Sequence, residues 1–296
     1  MRVVVGGASG MIGSGLVARL RDRGDHVVRL VRGEPASADE VRWDPSTGAL
    51  DPAVLAGADA VVNLSGASIS KLPWTPRHRA AILSSRVSAT TAIVSALHAR
   101  AAAGDPVPVL VSGSAVGFYG DRPDEELSEE SAPGGGFLAD VVRAWEAAAR
   151  TAPEETRVAF ARTGIVIGPE GATAPIRLLA KFGLAGPLGS GRQHWPWISL
   201  HDEVAALVHL IDNPVSGPVN LVAPTAGTAA DVVREIARRQ RRPYGFPAPA
   251  FAISAALGDA GRDLLLADQH VRPLRLEESG FTFAHGTLEQ AVAALG

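Results

Sequence analysis

The chain has 296 residues, of which 46% are hydrophobic and 20% are charged, and its formal net charge is −3. This composition excludes a disordered chain, and the lack of a basic excess argues against nucleic-acid binding. The absence of cysteine excludes disulfides, thiolate catalysis and cysteine-ligated metal centres. No stretch is typical of a membrane span or a signal segment, so we expect a cytoplasmic protein, a monomer or a homodimer, that does not bind membranes.

Short β-branched runs alternate with longer amphipathic stretches through the first half of the chain. The pattern predicts helices over 11–23, 76–103 and 137–150, and strands over 2–5, 26–31, 41–43, 58–64, 107–112 and 156–162. Such alternation is typical of right-handed βαβ units and of a parallel sheet covered on both faces. We therefore predict an α/β fold with a doubly wound parallel sheet of the Rossmann type.

The second half of the chain has a different sequence pattern, with glycine-rich and proline-rich segments and short apolar runs. We expect a glycine-rich loop at 183–191, a helix over 201–211 with Asp202 as its N-cap, a strand at 219–222 and short helices after residue 249. This predicts a Rossmann domain over 1–168, to which 195–242 return. Residues 169–194 and 243–296 would form a smaller, mainly helical C-terminal lobe.

Gly7, Gly10 and Gly13 form a G-x-x-G-x-x-G turn between the first predicted strand and the first predicted helix. Glycine allows a tight turn, lets the backbone approach a pyrophosphate and lets the helix pack closely on the strand. The backbone amides at Met11 and Ile12 would then face the anion at the helix N-terminus. The turn predicts a dinucleotide site, and a glycine-rich turn without a ligand is the alternative.

The end of the second predicted strand bears on the choice of cofactor. A carboxylate there would hold a ribose 2′-hydroxyl, whereas arginine accommodates a 2′-phosphate. Arg32 stands at this position, which favours NADP, and Glu34 close by keeps NAD as the alternative. Asp44 follows the third strand and is placed either to meet the adenine amino group or to cap the turn that it begins.

The sequence resembles the extended short-chain dehydrogenase/reductases in its glycine turn and in the segments Asp59–Gly66, Ser112–Gly120, Arg162–Pro169 and Trp197–Asp202. It is similar to one atypical branch in particular, the uncharacterised "epimerase family" of nucleoside-diphosphate-sugar-epimerase-like proteins. That likeness lies in Ser84-Ser85-Arg86, Trp145-Glu146, the run 186–193 and a small C-terminal helical segment. The resemblance implies a Rossmann domain that binds NADP or NAD and a cleft under the C-terminal lobe, but no particular reaction.

The wider family uses a Tyr-x-x-x-Lys pair on the helix after the fifth strand, in which the tyrosine is the general acid or base. This chain has two tyrosines, Tyr119 and Tyr244, and neither is followed by lysine at the fourth position. By position, Phe137 and Val141 take the two places, and neither side chain can exchange a proton or carry charge.

Two hydroxyl side chains near the fifth strand remain as catalytic candidates. Ser114 matches the family's active-site serine, and Tyr119 is the nearest phenol, for which Arg192 would supply an activating cation. The alternatives are that Ser112 and Ser114 form a turn after the strand and that Tyr119 is a buried aromatic of the core or the cleft wall. The sequence thus predicts an NADP-dependent oxidoreductase of a small organic substrate. A silent dinucleotide-binding regulatory protein and a sugar-nucleotide-epimerase-like enzyme are the alternatives.

The remaining site predictions concern the loops at the carboxyl edge of the sheet. Cofactor contacts are expected from Asn63, Ser65, Gly66 and Ser112, although Asn63 could instead form an Asx turn. Substrate contacts are expected from Trp74, Phe137, Arg192 and Trp195, because aromatic and guanidinium groups suit a flat or anionic ligand. The histidines show no metal-ligand spacing, so no metal site is predicted.

Overall fold

The computed structural model describes residues 1–295. Its strands are β1 (Arg2–Gly6), β2 (His26–Val31), β3 (Glu40–Arg42), β4 (Ala60–Asn63), β5 (Val109–Ala115), β6 (Glu126–Leu127), β7 (Val158–Thr163), β8 (Ile165–Ile167), β9 (Trp197–Ser199), β10 (Gly217–Leu221) and β11 (His270–Val271). Its α-helices are α1 (Met11–Asp22), α2 (Pro76–Ala102), α3 (Phe137–Arg150), α4 (Thr173–Lys181), α5 (Leu200–Asp212), α6 (Ala229–Arg239), α7 (Ala250–Leu257), α8 (Asp259–Gly261), α9 (Leu274–Glu278) and α10 (Leu288–Ala293).

Seven strands form one central sheet in the order β10-β7-β5-β4-β1-β2-β3. Every neighbouring pair in it is parallel. The order reverses direction at β1, so a crevice opens beyond the carboxyl ends of β1 and β4, where doubly wound folds bind their ligands. The predicted α/β class and its Rossmann-type sheet are confirmed.

Alternate residues of each strand are buried on opposite faces of the sheet. Val3 and Val5 of β1 join a core formed with α1 and α5, and Val4 joins a core formed with α2 and α3. One helix, α2, is long and apolar enough by length and composition to cross a membrane. Its residues Ile93 and Leu97 are fully buried against the sheet, as expected of a core helix.

The structure corrects two predicted boundaries. Strand β5 runs to Ala115 instead of ending at residue 112, so Ser112 and Ser114 lie within a strand and do not form a turn. Helix α5 is capped by Ser199, whose Oγ accepts a hydrogen bond from the backbone N–H of Asp202 at 3.0 Å. Asp202 is therefore inside the first turn and is not the N-cap.

A third core lies outside the central sheet and belongs to the smaller lobe. It gathers residues from β8, α4, β9, α6 and α10, with Trp195 and Trp197 at its centre. Helix α6 lies in the segment that is predicted to return to the Rossmann domain, and its Val232, Val233 and Ile236 are buried in this third core. The apolar face of α6 therefore packs with residues of β8, α4 and α10.

Candidate functional site

The glycine turn joins β1 to α1 through close backbone approaches that a side chain would block. Gly7 has φ +78°, and an added Cβ would lie 2.6 Å from the carbonyl carbon of Leu64. A Cβ at Gly13 would overlap the carbonyl oxygen of Gly7, so the helix can approach the turn only without a side chain. A Cβ at Gly10 would meet no atom closer than 3.6 Å, which leaves the space above that residue open.

The N-terminus of α1 is free to bind an anion. Its N-cap, Gly10, offers no side-chain hydrogen bond, and the first turn contains no acidic residue. The first N–H groups of a helix have no partner within the helix, and the helix dipole adds partial positive charge there. The amides at Met11 and Ile12 therefore remain, as predicted, candidates for a pyrophosphate.

Arg32 lies just beyond the end of β2 at the same edge of the sheet. Its side chain is exposed and forms no ion pair with any of residues 1–295, whereas the nearby Glu34 is paired with Arg42. Glu34, the carboxylate that kept NAD as the alternative cofactor, is thus paired with an arginine other than Arg32. Asp44 accepts hydrogen bonds from the backbone N–H and the hydroxyl of Ser46, at 2.9 and 2.6 Å, so it caps the turn that follows β3.

The loop after β4 is held by buried polar contacts. Asn63 is fully buried; its Nδ2 donates to Thr90 at 3.0 Å and its Oδ1 accepts from the N–H of Ser65 at 3.1 Å. Asn63 therefore forms the Asx turn, which was the alternative to its predicted contact with a cofactor ribose. The turn presents Ser65 and the exposed Gly66 at the carboxyl edge of the sheet.

Arg86 of α2 places a guanidinium directly behind this loop. It donates to the carbonyl oxygens of Ala67 and Ile82, both at 3.0 Å, and lies 5.2 Å from the ring centre of Trp145. It forms no ion pair within residues 1–295, and burial lowers its pKa to about 10. A cation without a counter-ion at this edge suits an anionic ligand.

Ser114, on the neighbouring strand β5, is tied into a buried ionic network. Its hydroxyl donates to Oε1 of Glu146 at 2.8 Å, and Arg162 of β7 donates to both oxygens of the same carboxylate at 2.8 and 3.0 Å. Ser114 is only 4% exposed. Ser112 is fully buried, with its hydroxyl 3.2 Å from the carbonyl oxygen of Gly113, so the structure gives it no direct access to a ligand.

Tyr119 does not lie in the cleft, contrary to the prediction that it serves as an acid. Its side chain is 0% exposed, and its hydroxyl donates to Oδ1 of Asn220 at 2.7 Å and accepts from Arg162 at 3.0 Å. Burial raises the pKa of the phenol despite the opposing charge of Arg162. The cation beside it is Arg162 and not Arg192, which is exposed elsewhere.

The predicted substrate residues separate into two groups. Trp74 and Phe137 meet edge to face, with ring centroids 5.4 Å apart, and the guanidinium of Arg79 lies 4.2 Å from the Phe137 ring centre. Arg79 also pairs with Asp259 of α8, so this group joins the Rossmann domain to the smaller lobe. Trp195 is only 3% exposed and belongs to the core of the smaller lobe, which corrects its assignment to the cleft.

Glu203 of α5 is a buried carboxyl group that no sequence pattern indicated. It is 0% exposed, and Thr163 at the end of β7 donates to its Oε1 at 2.7 Å. Its Oε2 has no hydrogen-bond partner within residues 1–295. Burial raises its pKa to about 8, against the smaller opposing effect of the Thr163 hydrogen bond, so the side chain is mostly protonated at neutral pH.

Comparison with known proteins finds two matching family models. Residues 3–222 match the model of the NAD dependent epimerase/dehydratase family, and residues 248–295 match a domain of unknown function, DUF1731. The chain belongs to the NAD dependent epimerase/dehydratase family. The resemblance predicted from its motifs is thereby confirmed.

Three relatives of this epimerase/dehydratase family member cover nearly all of it. An epimerase family protein of Mycobacterium bovis is 41% identical over 98% of this chain and 96% of its own length. The crystal structure of human epimerase family protein SDR39U1 with NADPH is 30% identical, with a TM-score of 0.89 and coverage of 100% and 99% of the two chains. The structure of MoeE5 with UDP-glucose and NAD is 25% identical, with a TM-score of 0.74 and coverage of 100% and 97%.

Proposed function

We propose that this epimerase/dehydratase family member is an NADP-dependent oxidoreductase that acts on a small organic substrate. The observation that carries the choice of NADP is Arg32, an exposed and unpaired guanidinium at the end of β2. A 2′-phosphate lies at this position in Rossmann domains that prefer NADP. The NADPH found in the structure of human SDR39U1 supports the same choice.

The residues at the sheet edge fit such a dinucleotide. The open space over Gly10 would admit a pyrophosphate to the α1 amides, Arg32 would hold the 2′-phosphate, and the loop at Ser65 and Gly66 would border the nicotinamide half. Arg86 adds positive charge behind that loop. When bound, NADPH supplies the hydride from its nicotinamide ring.

The chain itself must orient the substrate and help to move a proton. Trp74, Phe137 and Arg79 form an apolar and cationic wall at the junction with the smaller lobe. Ser114 is the remaining hydroxyl at the end of β5, and Glu146 fixes its direction by accepting its hydrogen. Because its own hydrogen is donated to Glu146, Ser114 can hold a substrate hydroxyl by accepting a hydrogen bond from it, and we assign Ser114 that role. Tyr119, whose hydroxyl is held by Asn220 and Arg162, is given no catalytic role.

A second candidate function is a dinucleotide-binding regulator without turnover. The observation that favours it is the Ser114–Glu146–Arg162 network, in which the catalytic serine is committed to a carboxylate and the usual tyrosine and lysine are absent. A sugar-nucleotide-epimerase-like enzyme is suggested by the UDP-glucose in the MoeE5 structure. Such an enzyme would need the tyrosine of the Tyr-x-x-x-Lys pair, which this chain lacks. Oxidation of NADPH with any member of a carbonyl panel would favour the oxidoreductase, and binding without turnover would favour the regulator.

The cofactor preference is tested by calorimetric titration of the protein with NADPH and with NADH. Replacing Arg32 with alanine should weaken NADPH binding by about 10- to 150-fold, since a charge-assisted contact contributes about 1.5–3 kcal/mol, and should leave NADH binding unchanged. Arg19→Ala is the matched control, because Arg19 is also exposed and unpaired within residues 1–295 but lies at the far end of α1. Equal affinities for NADPH and NADH in the unmutated protein would contradict the proposal.

A further inference from the structure

Two histidines and one aspartate from distant parts of the chain meet beside the start of α5. One potential ligand atom from each of His201, Asp202 and His285 lies within 4.8 Å of the other two. Asp202 and His285 are 83 positions apart, so no local spacing rule could have paired them. The cluster lies outside the dinucleotide site, and the proposed oxidoreductase function makes no use of it.

The carboxylate of Asp202 is held rigidly in place. It is only 1% exposed, and its two oxygens accept the backbone N–H groups of Ala284 and His285, each at 2.9 Å. Nδ1 of His201 lies 3.2 Å from Oδ1 of the same carboxylate. An ionised carboxylate has about four acceptor positions, so these amides leave capacity for a further ligand.

The imidazole of His285 is oriented by a neighbouring hydroxyl. Its Nδ1 lies 3.0 Å from Oγ of Ser199, the same oxygen that caps α5, so Nε2 is the nitrogen left for another partner. A hydrogen bond at one ring nitrogen that fixes the direction of the other is typical of metal-binding histidines. The His201 side chain is 53% exposed and free to turn toward the same point.

The cluster is open to solvent on one side. Ser199, His201 and His285 line a cavity of about 380 Å³ between α1, α5 and the segment that leads into α10. Arg19 and Asp22 of α1 line the same cavity and carry opposite charges. A cation could therefore reach the cluster with water ligands still bound.

We propose that His201, Asp202 and His285 form a binding site for a divalent transition metal of the zinc type. Two imidazoles and one carboxylate match the donor preference of Zn²⁺, with water in the remaining position. Ligand atoms in a tetrahedral site are about 3.3–3.6 Å apart, given bonds of about 2.0–2.2 Å, and the potential ligand atoms of the three residues lie within 4.8 Å of one another. The metal would fasten the segment before α10 to α5.

The test uses the full chain without a polyhistidine tag, stripped with a chelator and titrated with ZnCl2 by calorimetry and with CoCl2 by visible absorption. We expect one equivalent of each metal, a cobalt spectrum of tetrahedral intensity and a higher Tm with zinc. His201→Ala and His285→Ala should each weaken binding at least 10-fold, because even outer-shell partners of a metal contribute about 10- to 100-fold.

His26→Ala is the matched control, since His26 is another exposed histidine 3.2 Å from an aspartate but without a second imidazole. It should leave zinc affinity unchanged. The Tm of each stripped variant shows that it is folded, so a weakened affinity in the two cluster variants supports the site. No binding by the unmutated protein, or equal affinity in His285→Ala and His26→Ala, would overturn it.

Discussion

Glu203→Gln should change how the stability of the protein depends on pH. The buried carboxyl group has its pKa raised from 4.5 to about 8, and the main cause is the loss of solvation. Below pH 4.5 the group is protonated in both the folded and the unfolded chain. Between pH 4.5 and 8 the unfolded chain loses the proton while the folded chain keeps it, so Glu203 costs stability progressively as the pH rises.

The magnitude follows from the linkage slope of about 1.4 kcal/mol per pH unit for one proton. Over the two units from pH 5.5 to 7.5, the free energy of unfolding of the unmutated protein should fall by about 3 kcal/mol relative to Glu203→Gln. Glutamine keeps an oxygen that accepts the hydrogen bond from Thr163, and it replaces the protonated carboxyl with a neutral group of similar size.

Urea unfolding at several pH values between 5 and 8 measures this difference directly. Glu277→Gln, at an exposed glutamate on α9, serves as the control and should follow the unmutated protein at every pH. Parallel stability curves for the unmutated protein and Glu203→Gln would refute the reasoning, because they would mean that Glu203 is ionised in the folded state.

Four further substitutions test the site and its support. Gly10→Ala should weaken NADPH binding at least 10-fold in calorimetry and leave stability unchanged. Gly13→Ala should weaken binding and also lower stability by about 1–3 kcal/mol in urea unfolding, because its Cβ overlaps the turn. Tyr119→Phe should lower stability by about 1–3 kcal/mol, because it leaves the buried partners of the hydroxyl group without a hydrogen bond, but it should not change NADPH affinity. A loss of NADPH affinity without a loss of stability would show that the phenol belongs to the cofactor site. Glu146→Ala should lower stability by about 3–5 kcal/mol, because the charge of Arg162 is left buried without its partner, and a loss below 1 kcal/mol in urea unfolding would contradict that network.

The sequence predicted the central sheet and the glycine turn because both depend on local patterns. Strand periodicity and the spacing of Gly7, Gly10 and Gly13 are properties of short segments, and the parallel sheet follows from their alternation with helices. The position of Arg32 at the end of β2 could be read in the same way. That it holds a 2′-phosphate stays a prediction.

The errors that concern burial involve contacts between distant segments. Tyr119 follows β5 closely, but its hydroxyl is held by Asn220, 101 residues later, and that partner leaves no mark on the local sequence. Trp195 looks like a cleft residue because it neighbours Arg192, yet the smaller lobe closes over it. The burial of Glu203 at the start of an amphipathic helix depends on which face meets Thr163 at the end of β7, which only the fold decides.

The third core has a consequence for the order in which the chain can fold during synthesis. It combines Trp195 and Trp197 with Val292 of α10, nearly one hundred residues further along the chain. The apolar surroundings of the two indoles are therefore incomplete until α10 has been synthesised. A chain that lacks α10 should therefore expose part of this core to chaperones and proteases.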